Sequence, residues 1–428
     1  MKSILSLSFI LLIAATFFMT GCQQDTCTRT QEYTAFQPVY KLLEDMRVPV
    51  KYESPTALTS PGKIFYYNGY LFVNEMNTGI HIYDNTDPSN PKNIGFLNIP
   101  GNLDMAVHGH YLYVDSYLDL VAIDIANPEA PVEAERVNDV FQSFYSFSDN
   151  IGYLVEYKPT LVKQTIDCSN SNWGSGIWFD NGGMLYTKDA SFGGAFDVSS
   201  NSSVTPSVVA GGSMARFTVD NNYLYTIDQS SIKVFNVENA KPDLKNDVAV
   251  QWGIETLFPM DGSLFIGSSS GMLIYDISNP ELPVYRSTFS HASACDPVIV
   301  SNKVAYVTLR DGNNCNGFTN QLDVLDVSDL DNPSLIRSYP MDNPHGLSIV
   351  DNTLYLCEGR FGLKTFDISN TQKIDQNLLD HVSGLTAFDV IVLPPGNHVM
   401  VIGESGLYQF DATDRSDLKQ LSMIEIGK

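Results

Sequence analysis

The sequence predicts an all-β fold built from repeats, and three observations carry that prediction. A unit of two short alternating runs recurs along the chain, and each unit closes on an Asp or Asn followed, in most cases, by a Pro-containing turn. Hairpin signals such as Asn68-Gly69, His108-Gly109 and Asp220-Asn221-Asn222 lie between alternating apolar residues. Convincing helical periodicity is confined to 35–46 (AFQPVYKLLEDM), where a short helix is expected.

The units read GYLFVNEMNTGIHIYDNTDPSNPKNIGFLNI (69–99), HYLYVDSYLDLVAIDIANPEAP (110–131), YLYTIDQSSIKVFNVENAKP (223–242) and SLFIGSSSGMLIYDISNPELP (263–283). AYVTLRDGNNCNGFTNQLDVLDVSDLDNP (305–333), TLYLCEGRFGLKTFDISN (353–370) and VMVIGESGLYQFDATD (399–414) continue the series. Their closing residues are Asp84, Asp124, Asp197, Asn236, Asp276, Asp326, Asp367 and Asp411, at spacings of 40, 73, 39, 40, 50, 41 and 44. The long gap is read as a complete repeat, with two strands in 140–157, a third in 193–198 and an insertion at 158–192. A strand-built period of about 40–45 residues is the signature of a propeller blade. The expectation is one β-propeller over 61–428, with eight blades of four antiparallel strands a to d. Strand a precedes the hairpin turn, b is the YLFV-like run, c the GIHIYD-like run, and d follows the Pro turn.

The recurring Asp or Asn is expected to be architecture rather than a set of metal ligands. Followed by Ser, Thr or Asn and then Pro, it makes a turn in which its side chain accepts backbone N–H groups.

Composition narrows the function. Forty-nine acidic against 25 basic residues give a formal charge of −24, and no Lys/Arg-rich run is present. Such a chain is not expected to bind nucleic acid, where affinity comes from neutralising phosphates. With 43% hydrophobic residues, 22 Tyr and 23 Phe, a large core is expected rather than a solvated coil.

The N-terminus carries an address. Lys2 precedes the apolar stretch Ile4 to Met19, the layout of a secretory signal over 1–21. Met19-Thr20-Gly21-Cys22 resembles a bacterial lipobox, with Met in place of the commoner Leu. That motif implies diacylation of Cys22 and a lipid-anchored tether over 22–60, with the body outside the membrane. Two or three acyl chains anchor durably. No Asp follows Cys22, which favours the outer over the inner membrane. The five other cysteines are Cys27, Cys168, Cys295, Cys315 and Cys357, and Cys295–Cys315 is the expected disulfide of an exported chain.

The strand c segments with their turns (IHIYDNTDPSNP, VAIDIANPEAP, LIYDISNPELP, DVLDVSDLDNP) resemble the LVIVD repeat of bacterial exported β-propeller lipoproteins. The resemblance extends over roughly 60–425, the third and fourth repeats departing from the pattern. It implies a propeller and an exported location, and it brings no catalytic residues with it.

Alignment on strand b places Lys63, Asp104, Arg216, Glu255, Asp296, His345 and Asp389 near the start of strand a. These polar residues would converge at one mouth of the central channel, where buried polar groups need partners. Two readings follow: an ion-pair ring that plugs the channel, or a ligand site. The insertion 158–192 adds Trp173, Trp178, Phe179, Tyr186 and Phe192, suited either to protein or carbohydrate contacts or to capping the channel. Gly267-Ser268-Ser269-Ser270-Gly271 matches a hydrolase nucleophile elbow, but that elbow needs a strand-to-helix turn and these residues join two strands. No metal or cofactor motif is found; Asp311-x-Asn313 lacks the Glu that would complete a calcium loop.

The function expected is therefore a non-enzymatic, lipid-anchored scaffold for an envelope protein or glycan. The alternative is a glycan hydrolase or lyase using carboxylates at the channel mouth. An open pair of carboxylates about 5–9 Å apart would favour the second, and fully engaged carboxylates the first.

Overall fold

A computed structural model describes residues 28–149, 151–167, 178–179, 185–186, 215–228, 230–268, 271–290, 297–310, 319–393 and 395–427. The signal and lipobox, including Cys22, lie outside these residues, as do Asp296, Cys295, Cys315, Asp311 and Asn313. The chain divides into two compact bodies, one of 1–38 with 157–192 and a larger one of 39–156 with 193–428.

The larger body contains seven blades of consecutive antiparallel strands, blade 1 at 61–98, blade 2 at 105–137, blade 3 at 217–249, blade 4 at 254–290, blade 5 at 298–340, blade 6 at 347–382 and blade 7 at 387–425. Their innermost strands are Pro61–Tyr67, Met105–His108, Phe217–Asp220, Ile254–Met260, Val298–Ser301, Leu347–Val350 and Ala387–Leu393. Strand a turns into b through left-handed residues, such as Asn68 and Gly69 or Asp261 and Gly262. The right-handed twist of the flanking strands requires this hand of turn.

The hydrophobic core is divided among the blade interfaces. Leu112 and Val114 of blade 2 pack with Phe72 and Ile82 of blade 1, and Phe217 and Leu224 of blade 3 pack with Tyr113 and Ala122 of blade 2. The series continues round to Ile391, Met400 and Ile402 of blade 7, which meet Ile64, Leu71 and Val73 of blade 1. Seven such cores close the ring, and both faces of each blade are buried against a neighbour.

The recurring Asp or Asn behaves as the sequence predicts. Oδ1 of Asp84, Asp124, Asn236, Asp276, Asp326, Asp367 and Asp411 each accepts the N–H two residues on, at 2.8–3.0 Å. Asp197 lies outside the described residues. The turns so shaped are docking elements. Tyr113 Oη of blade 2 donates to Asn239 O of blade 3, Tyr225 to Pro280 O, Tyr339 to Thr371 O, and Ser422 Oγ of blade 7 to Pro88 O of blade 1. The repeat thus recurs because each blade seats the turn of the next.

Eight antiparallel sheets are present, as the repeat count expects, but the one at the long gap is assembled differently. Within the larger body, Phe147–Ser148 pairs with the start of Gly152–Asp167, and blade 2 meets blade 3 directly. Residues 193–198, expected as its third strand, lie outside the described residues. In the smaller body, Leu185–Tyr186 pairs with Trp178–Phe179 and with Ala35 and Phe36. Trp173 and Phe192 are not among the described residues.

The expected helix over 35–46 shrinks to Leu43–Met46, behind a strand Thr28–Lys41. Pro38 disfavours a helix interior, and Phe36, Val39 and Tyr40 suit a pleated surface. Beyond it the tether is part of the fold. Arg47 is bound to Asp119 at 3.0 Å and Asp139 at 2.6 Å, and Lys51–Glu53 adds a fifth strand to the outer edge of blade 1. Among the described residues, no helix is long and apolar enough to cross a membrane.

Candidate functional site

Strand a begins with a bulge in several blades, and the bulge decides which side chains share a position. In blade 7 Asp389 opposes Ile402, with Phe388 as the extra residue; in blade 4 Thr256 opposes Gly267, with Glu255 extra. Blade 6 follows suit, since Cys357 N donates to Gly346 O while His345 N donates to Cys357 O. Ile227 N to Arg216 O and Thr308 N to Pro297 O fix the same position in blades 3 and 5. The equivalent residues from blade 1 to blade 7 are therefore Lys63, Asp104, Arg216, Thr256, Pro297, Gly346 and Asp389.

Four of the seven residues expected at the mouth thus fall into register, and they occupy consecutive blades with alternating charge: Asp389, Lys63, Asp104, Arg216. Glu255 and His345 lie one residue earlier, on the bulge, and one step along a strand sends a side chain to the other face. Asp296, directly before Pro297, is outside the described residues.

Lys63 and Asp104 form a fully buried ion pair, and Lys63 Nζ also donates to Phe217 O at 3.2 Å. Asp104 Oδ2 accepts Arg216 N at 2.8 Å and Phe217 N at 3.0 Å, so one carboxylate ties three blades together. Burial draws the Lys63 pKa down, opposed by the Asp104 charge beside it.

A residue that sequence reasoning missed completes this side. Asp115, at the end of strand b of blade 2, accepts Asn102 Nδ2, Leu103 N and Asp104 N on one oxygen at 2.7–2.9 Å. Burial raises its pKa to about 6, against the pull of Arg216 and of these donors. Its signal was an Asp inside the YLYVDS run, where the neighbouring repeats carry apolar, amide or small residues. Over it lies the segment 141–145: Phe141 stacks on Phe217 at 5.5 Å, the Phe144 ring carries the Arg216 guanidinium at 4.4 Å, and Tyr145 stands edge-on to Tyr117 at 5.9 Å.

The blade 6 and 7 side differs. Asp389 is fully buried, and among the described residues its carboxyl oxygens meet no well-formed hydrogen-bond donor. Burial pushes its pKa well above the usual carboxylate range, outweighing the Val390 N–H and the Lys63 charge. Its carboxyl lies over Gly346, where a Cβ would collide with Oδ1. His345 is buried against Arg310 Nη1, 2.7 Å from Nδ1, with Asn343 Oδ1 2.9 Å from Nε2. Burial and the Arg310 charge lower its pKa to about 3, which keeps the imidazole neutral. In that form Nε2–H donates to Asn343 and Nδ1 accepts from Arg310.

The mouth face also carries an aromatic that the repeat alignment passed over. Trp252 lies two residues before the innermost strand of blade 4 and is 70% exposed. Among the described residues, no group of three His, Cys, Asp or Glu side chains is arranged to hold a metal ion.

Comparisons with known proteins agree with this architecture. The LVIVD repeat matches residues 103–139, in blade 2, and 293–340, in blade 5. Among solved structures, the periplasmic gluconolactonase PpgL of Pseudomonas aeruginosa aligns with a TM-score of 0.52 at 10% identity, over 93% of this chain and 97% of that one. The computationally designed Ika8 protein gives 0.49 at 11% identity, covering 87% of this chain and 90% of that one. Kluyveromyces lactis Hsv2 gives 0.45 at 12%, covering 86% and 99%. At these identities the likeness is one of fold. No curated protein matches the chain. This chain is a β-propeller that carries LVIVD repeats.

Proposed function

We propose that this protein is a lipid-anchored propeller of the bacterial cell envelope, acting as a non-enzymatic scaffold that binds an envelope protein or glycan at the channel-mouth face. The observation that carries the reading is Trp252, a large aromatic held 70% exposed beside the head of an innermost strand. Exposed Trp side chains are over-represented among the residues that dominate binding energy. The carboxylates support it too. Asp104 is engaged by Lys63 and backbone N–H groups, Asp115 by three donors, and among the described residues Asp389 is a single buried acid rather than one of an open pair. Glycoside chemistry would need a pair facing a substrate. The lipobox ending at Cys22 supports the envelope location.

The test uses the full chain in detergent. Wild type and Trp252→Ala are compared for retention of solubilised envelope proteins and glycans. Wild type is expected to hold a partner that the variant holds at least about tenfold more weakly. Equal retention by both removes Trp252 from the reading. If neither retains anything, the scaffold idea falls and turnover of envelope glycans becomes the question. Cys22→Ser supplies the companion measurement: the chain should lose its acyl mass and leave the membrane fraction, and a variant that stays lipidated overturns the anchor.

A further inference from the structure

Strand d is the outermost strand of each blade, and most blades guard its free edge. At the end of strand d, opposite the start of strand c, blade 2 has Arg136, blade 3 Asp247, blade 5 Pro340, blade 6 Asp380 and His381, and blade 7 Glu425. Charges and Pro at such positions keep another chain from pairing there. Two blades have neither: blade 1, with Phe96, Leu97 and Asn98, and blade 4, with Thr288, Phe289 and Ser290. In blade 1 the chain covers the bare edge itself. Lys51, Tyr52 and Glu53 pair antiparallel with Asn98, Leu97 and Phe96, and Thr56 O then accepts Asn93 Nδ2 at 2.9 Å. The segment 51–56 thus runs along the outer strand.

Blade 4 has the same bare edge, and among the described residues no strand pairs with the outer side of Val284–Ser290. Such an edge presents a row of backbone N–H and C=O groups to any extended chain. Val284 and Tyr285 are each 53% exposed, and Leu282 just before them is 50% exposed. The Tyr285 ring stands edge-on to Tyr275 at 5.7 Å, which holds it in place at the surface. Arg286, the charged residue of the strand, is drawn aside to blade 5, where Asp331 holds it through bonds of 2.9 and 2.7 Å. At the start of the strand the balance is acidic: Asp276 lies opposite Val284, and Glu281 precedes the strand with Lys245 4.0 Å away.

We propose that the outer edge of blade 4 is a strand-addition site for an extended segment of another protein. The segment runs antiparallel to Val284–Ser290, as Lys51–Glu53 does on blade 1, with its N-terminal end at Ser290 and its C-terminal end at Val284. Main-chain hydrogen bonds supply the affinity, and alternate apolar side chains lie beside Tyr285 on one face and Phe289 on the other. A basic residue at the C-terminal end answers Asp276 and Glu281. A second copy of this chain suits the edge less well, because each copy carries a formal charge of −24 and two such bodies repel. The edge shares no residue with the channel mouth, so it is a second surface, independent of the binding face proposed above.

The probe is a fluorescein-labelled heptapeptide of alternating valine and threonine ending in lysine, titrated with the full chain in detergent and followed by anisotropy. Saturable binding is expected. The double variant Thr288→Arg/Ser290→Pro gives blade 4 the residue types that blades 2 and 5 carry at these positions, Arg136 and Pro340, and should bind at least about tenfold more weakly. Hydrogen exchange should show the peptide protecting Val284–Ser290 while the blade 3 strand Asp243–Ala249 is unchanged. A peptide ending in glutamate should bind more weakly than the lysine peptide, and equal binding overturns the basic end of the segment. No binding of either peptide, equal binding by the double variant, or protection elsewhere than on blade 4 overturns the site. Sedimentation of the chain alone addresses the other occupant: a dimer that the double variant fails to form gives the edge to a second copy and overturns the choice of partner. Where the double variant does not fold, the exchange footprint on wild type still decides.

Discussion

Asn85 and Gln409, 324 residues apart, exchange two amide hydrogen bonds of 3.0 and 2.8 Å across the seam where blade 7 meets blade 1. Each blade takes its four core strands from one continuous segment, so no strand is shared between the ends of the ring. Closure rests on side chains and one backbone hydrogen bond: this amide pair, the apolar cluster around Ile64 and Ile402, Ser422 Oγ on Pro88 O, and Gly427 N donating to Leu58 O at 2.7 Å.

Replacing Gln409 by Leu should therefore cost about 1–3 kcal/mol, because the buried Asn85 amide loses its partner. Asn85→Leu combined with Gln409→Leu should recover part of that loss. Urea unfolding of the two single variants and the double variant measures the coupling.

Asp104 and Asp389 hold the same position in blades 2 and 7, yet removing them should have different effects. Asp104→Ala leaves Lys63 buried without its anion, an arrangement that costs about 3–5 kcal/mol. Asp389→Ala removes a buried carboxyl that has no well-formed hydrogen bond among the described residues, which offsets the small cavity it leaves, and stability should change by less than about 1 kcal/mol. Equal losses in thermal unfolding would contradict the assignment of these two environments.

Gly346→Ala tests the close approach of blades 6 and 7. Gly346 N donates to Phe388 O at 2.9 Å, and a Cβ on Gly346 would collide with the Asp389 carboxyl and lie 3.0 Å from its Cα. Because backbone is involved, the clash cannot be relieved by a rotamer change, and a loss of about 1–3 kcal/mol is expected.

Stability should respond to acid with two opposite signs. The Asp115 pKa is about 6 in the fold against 3.8 for the free side chain, so the fold prefers its neutral form. Its effect is most favourable below pH 4, weakens as pH rises to 6, and is constant above, for a total on the order of 3 kcal/mol. The turn aspartates Asp84, Asp276, Asp326, Asp367 and Asp411 are held below their usual range by hydrogen bonds from the residue two positions on. Their contribution is present above about pH 4 and is lost as pH falls through their folded values. Between pH 7 and pH 5 the Asp115 gain is opposed by His345, which the fold holds neutral while the unfolded chain takes up its proton, so Asp115→Asn should lose more stability than wild type across that range. Denaturant midpoints at each pH provide the check.

The blades and their turns were legible in the sequence because they are made locally. Strand alternation, left-handed hairpin residues and the Asp or Asn that folds its own turn all act within a few residues, and each repeats the message. The general position of the polar head was legible for the same reason, and Lys63, Asp104, Arg216 and Asp389 fell into place. Glu255 and His345 did not, because a bulge adds one residue to strand a and an alignment on strand b cannot register it. Asp115 and the segment 141–145 were beyond reach as well. Folding alone places them at the polar head: the Arg216 guanidinium meets the Phe144 ring, and Phe141 packs on Phe217 across 76 positions of chain. The sequence by itself determined the strands, the turns and the repeat. Tertiary structure alone decided which charges meet, since desolvation and Coulomb attraction depend on distances that only the closed ring sets.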